Sequence, residues 1–273
     1  RLTLRSAAPF RHFHRARLVQ TNPASPSAES GRVQSIDRAF VVLRELAGTP
    51  QGATALDLSR RTGIERTTVH RLLKTLMHWD MVAADDGVYM LGPECLLFAT
   101  AHASRQNVRR AALPYAVELQ EKVLQGRSAL VSISIPARDR AIIVERIWTP
   151  RTPMNVIIDI GNQFPLDDCA SGKSILSTYP DELCLATLGK ARLDKIRPLL
   201  KKVRQAGGFC ATAGRYKRGL ASLAYPFHGR NAAALGAIVV SGLELDDELD
   251  VDSSLAQHLQ RACENVSSAL QHG

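Results

Sequence analysis

Six side chains in one short stretch have the chemistry to read a polyanion: Arg66, Thr67, Thr68, His70, Arg71 and Lys74. Guanidinium and ammonium groups pair with phosphates, an Arg fork matches the two acceptors on the edge of guanine, and hydroxyls reach base edges of either kind. Val69, Leu72, Leu73 and Leu76 recur between them at helical intervals, so a helix here packs one face and leaves the other free. Any amphipathic helix of a globular protein also shows a charged outer face, and this stretch alone leaves both readings open.

Other reactive residue types cluster around position 170. Gly172-Lys173-Ser174 ends like a phosphate-binding loop, but that motif needs a glycine five residues before Gly172, where Asp167 stands. Cys169 beside Asp167 and Asp168 suggests a nucleophile, yet the nearest histidines in sequence, His102 and His228, give no triad signature, and a lone cysteine is ordinarily a packing residue. Asp167 and Asp168 are chain neighbours that point apart in extended backbone and make a poor acid and base pair. The five cysteines, Cys95, Cys169, Cys184, Cys210 and Cys263, are scattered without zinc spacing and suit a reducing compartment. We find no catalytic constellation, no metal site and no cofactor motif. A helix starting at Ala170 with Ser171, Gly172 and Lys173 still offers free N–H groups and a positive dipole end to a carboxylate.

The elements that must position these groups follow from local signals. Thr54 caps a short helix carrying Ala55, Leu56, Leu58 and Ser59, Gly63 supplies the left-handed turn that stops it, and the helix over 66–78 follows. Two helices so joined form a helix-turn-helix, whose second helix enters a DNA major groove. The apolar runs on either side of Asp86-Gly87 predict a hairpin, which in this position is the wing of a winged helix. In front of them, Ile36, Ala39, Phe40, Leu43 and Leu46 recur at helical spacing over 33–47 and close a small core.

A linker helix is expected over 94–108, then a second helical stretch through Leu113, Val117, Leu119 and Val123 that stops at Gly126. Alternation and β-branching predict strands over 128–135, 141–147 and 154–158, joined by turns too short for crossover helices and therefore antiparallel. Helices over 170–178, 181–188 and 193–203, strands over 220–227 and 233–241 around the turn at His228, and a helix over 252–270 complete the chain. The fold class is α+β: a basic disordered arm over 1–30, a winged helix-turn-helix domain over 31–93, the linker helix, and an effector domain over 109–273 with an antiparallel sheet.

Bulk properties agree. The chain of 273 residues, 45% hydrophobic, is long enough for two cores, and its net charge of +9 suits a polyanionic partner, although Arg1, Arg5, Arg11, Arg15 and Arg17 of the tail carry much of that surplus. With no acidic residue before Glu29, the first thirty residues read either as an organellar transit segment or, preferred because of Pro23 and Pro26, as a disordered arm. No apolar run approaches the roughly 20 residues of a membrane span. A soluble, cytoplasmic protein with no membrane partner is expected.

These motifs together resemble the bacterial isocitrate lyase regulator (IclR) family of transcription factors over nearly all of 33–270. The resemblance rests on VQSIDRA at 33–39, TGIERTTVHRLLKTL at 62–76, YMLG at 89–92, FPLDDCASGKSIL at 164–176, VRQAGGF at 203–209, GLASLAYPF at 219–227 and the Ser241-Gly242 strand end. It implies a winged helix joined by a helix to a GAF-like effector domain, acting as a homodimer or dimer of dimers on double-stranded operator DNA. It also implies a pocket for a small organic acid built from Val156, Phe164, Ala170, Ser171, Thr212, Leu220, Ser222, Val239 and Ser241.

Four positions depart from the family pattern: Asp167 where relatives often carry His, Arg215 where an acidic residue is common, and Thr212 with Val239 in place of polar residues used on keto acids. These departures point away from a two- or three-carbon acid and toward a larger, partly apolar one, with Arg215 able to add a full charge. A ligand-responsive regulator predicts saturable, salt-sensitive binding to a palindromic site without turnover. A metabolite-binding protein or enzyme with an incidental basic helix would need a catalytic cluster, which the residues do not supply.

Overall fold

A computed structural model describes residues 32–105, 107–154, 156–215 and 218–272, so the expectation for 1–30 lies outside the described residues. The chain divides into two compact units at Ala99 and Thr100.

In the first unit, α1 (Gln34–Ala47), α2 (Ala55–Thr62) and α3 (Arg66–His78) enclose Val42, Leu46, Leu58, Val69, Leu73 and Val82, each at most 2% exposed. The local signals explain the chain path. Thr54 Oγ1 accepts from Asp57 N at 3.2 Å and the Asp57 carboxylate accepts from Thr54 N at 3.3 Å, a capping box that starts α2. Gly63 ends it at φ 71°, a conformation in which a Cβ is strained. Asp86 and Gly87, at φ 44° and 76°, form the two-residue turn between β2 (Val82–Asp85) and β3 (Val88–Leu91), and left-handed backbone at both positions is what such hairpins require. Strand β1 (Ala53–Thr54) pairs with β3, which completes a three-stranded wing sheet.

The next helix, α4 (Glu94–Arg105), spans the division between the units, and α5 (Asn107–Glu118) accommodates Pro114 and passes into a π-helical turn at Leu119–Val123. A six-stranded antiparallel sheet follows in the order β6 (Gln163–Pro165), β5 (Arg140–Ile147), β4 (Ala129–Ala137), β9 (Ala234–Leu243), β8 (Leu220–His228) and β7 (Cys210–Ala213). Period-two alternation divides its residues between two covered faces. Val131, Ile133, Leu223, Phe227, Ile238 and Val240 pack with α5 and α9 (Ser254–His272). The opposite phase lies under α6 (Ala170–Ser177), with α7 (Asp181–Leu188) and α8 (Lys190–Gln205) beyond it. This is the expected α+β arrangement, with helices on both faces of the sheet.

Three sequence expectations need correction. Of the strand expected over 154–158, the described residues 154 and 156–158 form none: Val156 N donates to Pro153 O in a turn, and the edge strand is β6, displaced toward Phe164. The four-residue strand β7 was not anticipated, because Gly207, Gly208 and Gly214 around it read as loop. Helix α8 begins at Lys190 rather than 193 and runs through Pro198.

Candidate functional site

On α3 the residues Arg66, Thr67, His70, Arg71 and Lys74 are all exposed, whereas Thr68 is half-buried. At about 100° per residue the five fall within a sector of roughly 140°, and Thr68 lies outside it, toward Leu72. The side chains of Arg66, Arg71 and Lys74 make no hydrogen bond or ion pair among the described residues. In the second unit many arginines are anchored: Arg109 on Glu145, Arg127 on Glu248, Arg146 on Asp159, Arg192 on Asp139 and Asp167. Glu65, at the N-cap of α3, supplies no side-chain cap, so the helix start keeps its dipole end available to a phosphate. His78, absent from the sequence expectation, extends the same exposed face one turn further; its own helical angle was the signal.

The second set of residues meets beneath α6. Register places Thr212 opposite Ser222, Ser222 opposite Ser241, and Ser241 opposite Leu130, so one row crosses β7, β8, β9 and β4. The Ser222 and Ser241 hydroxyls hydrogen-bond each other at 2.9 Å. One row along, Val239 packs against Ala170 at the first turn of α6, which fixes this face of the sheet as the one the helix start looks onto. Leu220, two residues before Ser222, shares that face. Val156 is buried in the 148–162 connection, and Phe164 on β6 packs with Leu166 and Cys169.

Helix α6 is held close by its own sequence. A Cβ at Gly172 would collide with the backbone of Leu166, which gives this glycine a packing reason in place of the phosphate-loop one. Cys169 caps the helix, its sulfur accepting from Gly172 N at 3.2 Å, and burial pushes its thiol pKa up; the thiol of Cys210 is pushed up to about 11 by the same cause. Lys173 N bonds Cys169 O, which leaves the N–H groups of Ala170 and Ser171, both buried, without an acceptor among the described residues. Lys173, 8% exposed, makes no ion pair among the described residues, and its charge is felt at Cys169, Asp167 and Cys210.

The loop before α6 is clamped from outside. Arg192 Nε and Nη2 reach the two oxygens of Asp167 at 3.0 and 2.5 Å, and Nη1 reaches Asp139 at 2.7 Å. The hydrogen bonds from Arg192 hold the Asp167 carboxyl below its ordinary pKa range. Arg215, expected to face a ligand, bonds the Asp168 carboxylate through Nε at 2.7 Å and stands at the rim. Asp167, Asp168 and Cys169 are thus engaged in holding the loop.

Ser132 and Ser134, absent from the sequence expectation, are fully buried on β4 with hydroxyls that have no partner among the described residues. Leaving a buried hydroxyl unmet costs about 1 to 3 kcal/mol. Two grooves, of about 360 and 710 Å³, are lined partly by α9 residues such as His258, Arg261 and Gln271, and contain none of the ten ligand residues expected from the sequence. Among the described residues no group of three or more His, Cys, Asp and Glu could hold a metal ion, and no helix is long and apolar enough to cross a membrane.

Comparison with known proteins places both units in one family. Residues 35–86 match the IclR helix-turn-helix domain, and residues 100–268 match the C-terminal domain of bacterial IclR transcriptional regulators. The chain belongs to the IclR family. It is 34% identical over 155 residues to an HTH-type transcriptional regulator of Mycobacterium tuberculosis, a match spanning 56% of this chain and 57% of that protein. A transcriptional regulator of Rhodococcus sp. RHA1 superposes with a TM-score of 0.68 at 27% identity, covering 88% of this chain and 98% of that one. An IclR homologue from Microbacterium hydrocarbonoxydans, complexed with 4-hydroxybenzoate, shares the fold at a TM-score of 0.70 and 19% identity, covering 88% of this chain and all of that one. The protein is a DNA-binding transcriptional regulator of IclR type. Its basic α3 lies within the matched helix-turn-helix domain.

Proposed function

We propose that this IclR-family regulator binds operator DNA as a homodimer or dimer of dimers and is switched by a small organic acid held beneath the start of α6, in a cytoplasm where it controls a catabolic operon. One observation carries the ligand reading: the backbone N–H groups of Ala170 and Ser171, two buried residues, have no acceptor among the described residues, and Ala170 packs with Val239 on the sheet face that also presents Ser222 and Ser241. Buried donors at a helix start favour an anion, and a carboxylate supplies two acceptors there. Val156, Phe164, Leu220 and Val239 give the surroundings an apolar character, which favours an acid carrying a ring or chain over glyoxylate or pyruvate. Because a solved neighbour of the same fold holds 4-hydroxybenzoate, that acid is the first probe.

DNA contact is assigned to Arg66, Thr67, His70, Arg71 and Lys74, with Thr68 at the margin; 31–93 is the DNA-binding domain, 94–108 the linker and 109–273 the effector domain. The test is calorimetry of the full chain against acids from glyoxylate and pyruvate to benzoate and 4-hydroxybenzoate, repeated with Ser222→Ala. Ring acids should bind, and bind more weakly in the variant. Binding confined to the smallest acids would refute the size argument, and ring-acid binding indifferent to Ser222 would refute the placement.

A further inference from the structure

Strand β4 is central, paired with β5 on one side and β9 on the other, and both of its faces are covered. Its sequence from Val131 runs Val-Ser-Ile-Ser-Ile, and the apolar phase packs against α5 in the larger core. A covered strand ordinarily carries apolar residues in both phases. Here the other phase is Ser132 and Ser134, each wholly buried, each with a hydroxyl that meets no donor or acceptor among the described residues.

Register shows where these hydroxyls lie. Ser132 is the direct partner of Val239, and Val239 packs on Ala170, so Ser132 is one strand spacing, about 4.8 Å, from the residue beneath the free N–H groups. Ser134 is the partner of Ala237, which packs with Ile175 in the middle of α6. The two serines therefore continue, on the β4 side and deeper under the helix, the surface that Ser222 and Ser241 begin. Unlike those two, which satisfy each other, Ser132 and Ser134 have unused capacity to donate and to accept.

We propose that Ser132 and Ser134 form a second polar subsite that takes a neutral hydroxyl group of the effector, at the end of the ligand away from its carboxylate; the proposal rests on the acid reading above. A hydroxyl is matched to a pair of serines because it can donate to one and accept from the other. Arg146, opposite Ser132, is already committed to Ile158 O at 2.8 Å and to Asp159 at 2.7 Å, so this guanidinium is not left to meet a second carboxylate beside the serines. A site built to hydrogen-bond a ligand hydroxyl rejects the analogue that lacks it, because the buried partners are then left unmet.

Benzoate and 4-hydroxybenzoate differ by that one group. Calorimetry of the full chain should show 4-hydroxybenzoate binding at least about tenfold more tightly than benzoate. Ser132→Ala with Ser134→Ala should remove that difference while leaving the affinity for benzoate unchanged and the thermal midpoint of the unliganded protein equal or higher, since the variant deletes unmet hydroxyls. Equal affinity of the wild type for both acids overturns the proposal. So does a difference that survives in the variant, or a variant that loses thermal stability and both affinities alike, which would make the serines structural. Failure of both acids to bind wild type overturns the acid reading itself and this subsite with it, a result distinct from binding that ignores the serines.

Discussion

Arg192 grips Asp167 with two nitrogens, at 3.0 and 2.5 Å, across 25 residues of sequence. The same guanidinium also reaches Asp139, so one side chain of α8 ties the β4–β5 turn to the loop that delivers α6. Asp167 is held below its ordinary pKa of 3.8, chiefly by those hydrogen bonds. A carboxylate with a depressed folded pKa stabilises the fold above its unfolded value and loses that contribution as pH falls through the folded one. Arg192→Ala should therefore cost about 1 kcal/mol at pH 7, between an exposed and a buried pair, and the cost should fade below about pH 4. Chemical denaturation of both proteins at pH 7 and pH 3 measures it; an undiminished difference at pH 3 would show that the clamp works by packing.

On α3, Arg71 is exposed and unpaired among the described residues and stands one turn after Thr67 on the basic face. Arg71→Ala should cost roughly 1 to 3 kcal/mol on operator DNA and much less on random DNA at the same salt, whereas Lys74→Ala should weaken both alike. Equal losses for Arg71→Ala would reduce it to a phosphate contact.

Gly172→Ala tests the packing of α6. Its Cβ would meet the Leu166 backbone, which no rotamer change can move aside, so the substitution should destabilise by about 1 to 3 kcal/mol or more. A thermal midpoint equal to wild type would mean that the loop yields without cost.

Leu96, Leu97 and Phe98 on α4 are 66%, 60% and 63% exposed, large apolar side chains of the kind that association covers. One recognition helix reads only a half-site, and a symmetric pair reads a palindrome. Light scattering should give a dimer or larger at micromolar concentration, and Leu97→Glu with Phe98→Glu should shift it toward monomer with loss of operator affinity. A monomeric wild type with full affinity would remove this interface.

What was legible in the sequence was what is local. Thr54, Gly63 and Asp86-Gly87 each fix a turn through their own backbone chemistry, and the winged unit follows from them. The stretch 154–158 misled because Val156, Ile157 and Ile158 are β-branched, while Pro153 sets a turn that composition does not reveal. Thr68 was grouped with its neighbours by polarity, and its helical angle separates it from them. The Arg192 clamp joins residues 25 and 53 positions apart, a pairing that only the fold makes. Ser132 and Ser134 alternate with apolar residues as in many strands; they are unusual only because β4 is central and covered on both faces.

The central claim is that an acid beneath α6 changes the affinity of α3 for DNA. An effector can do so only through different affinities for two states of the protein, and such coupling typically amounts to 5- to 150-fold. Operator affinity of the full chain should be measured by titration against its neighbouring promoter DNA at fixed salt, across increasing 4-hydroxybenzoate, with wild type and Ser222→Ala. The account predicts a saturable shift of at least about fivefold in wild type, displaced to higher ligand concentration in the variant. An operator affinity that stays constant while calorimetry shows the acid bound would contradict it.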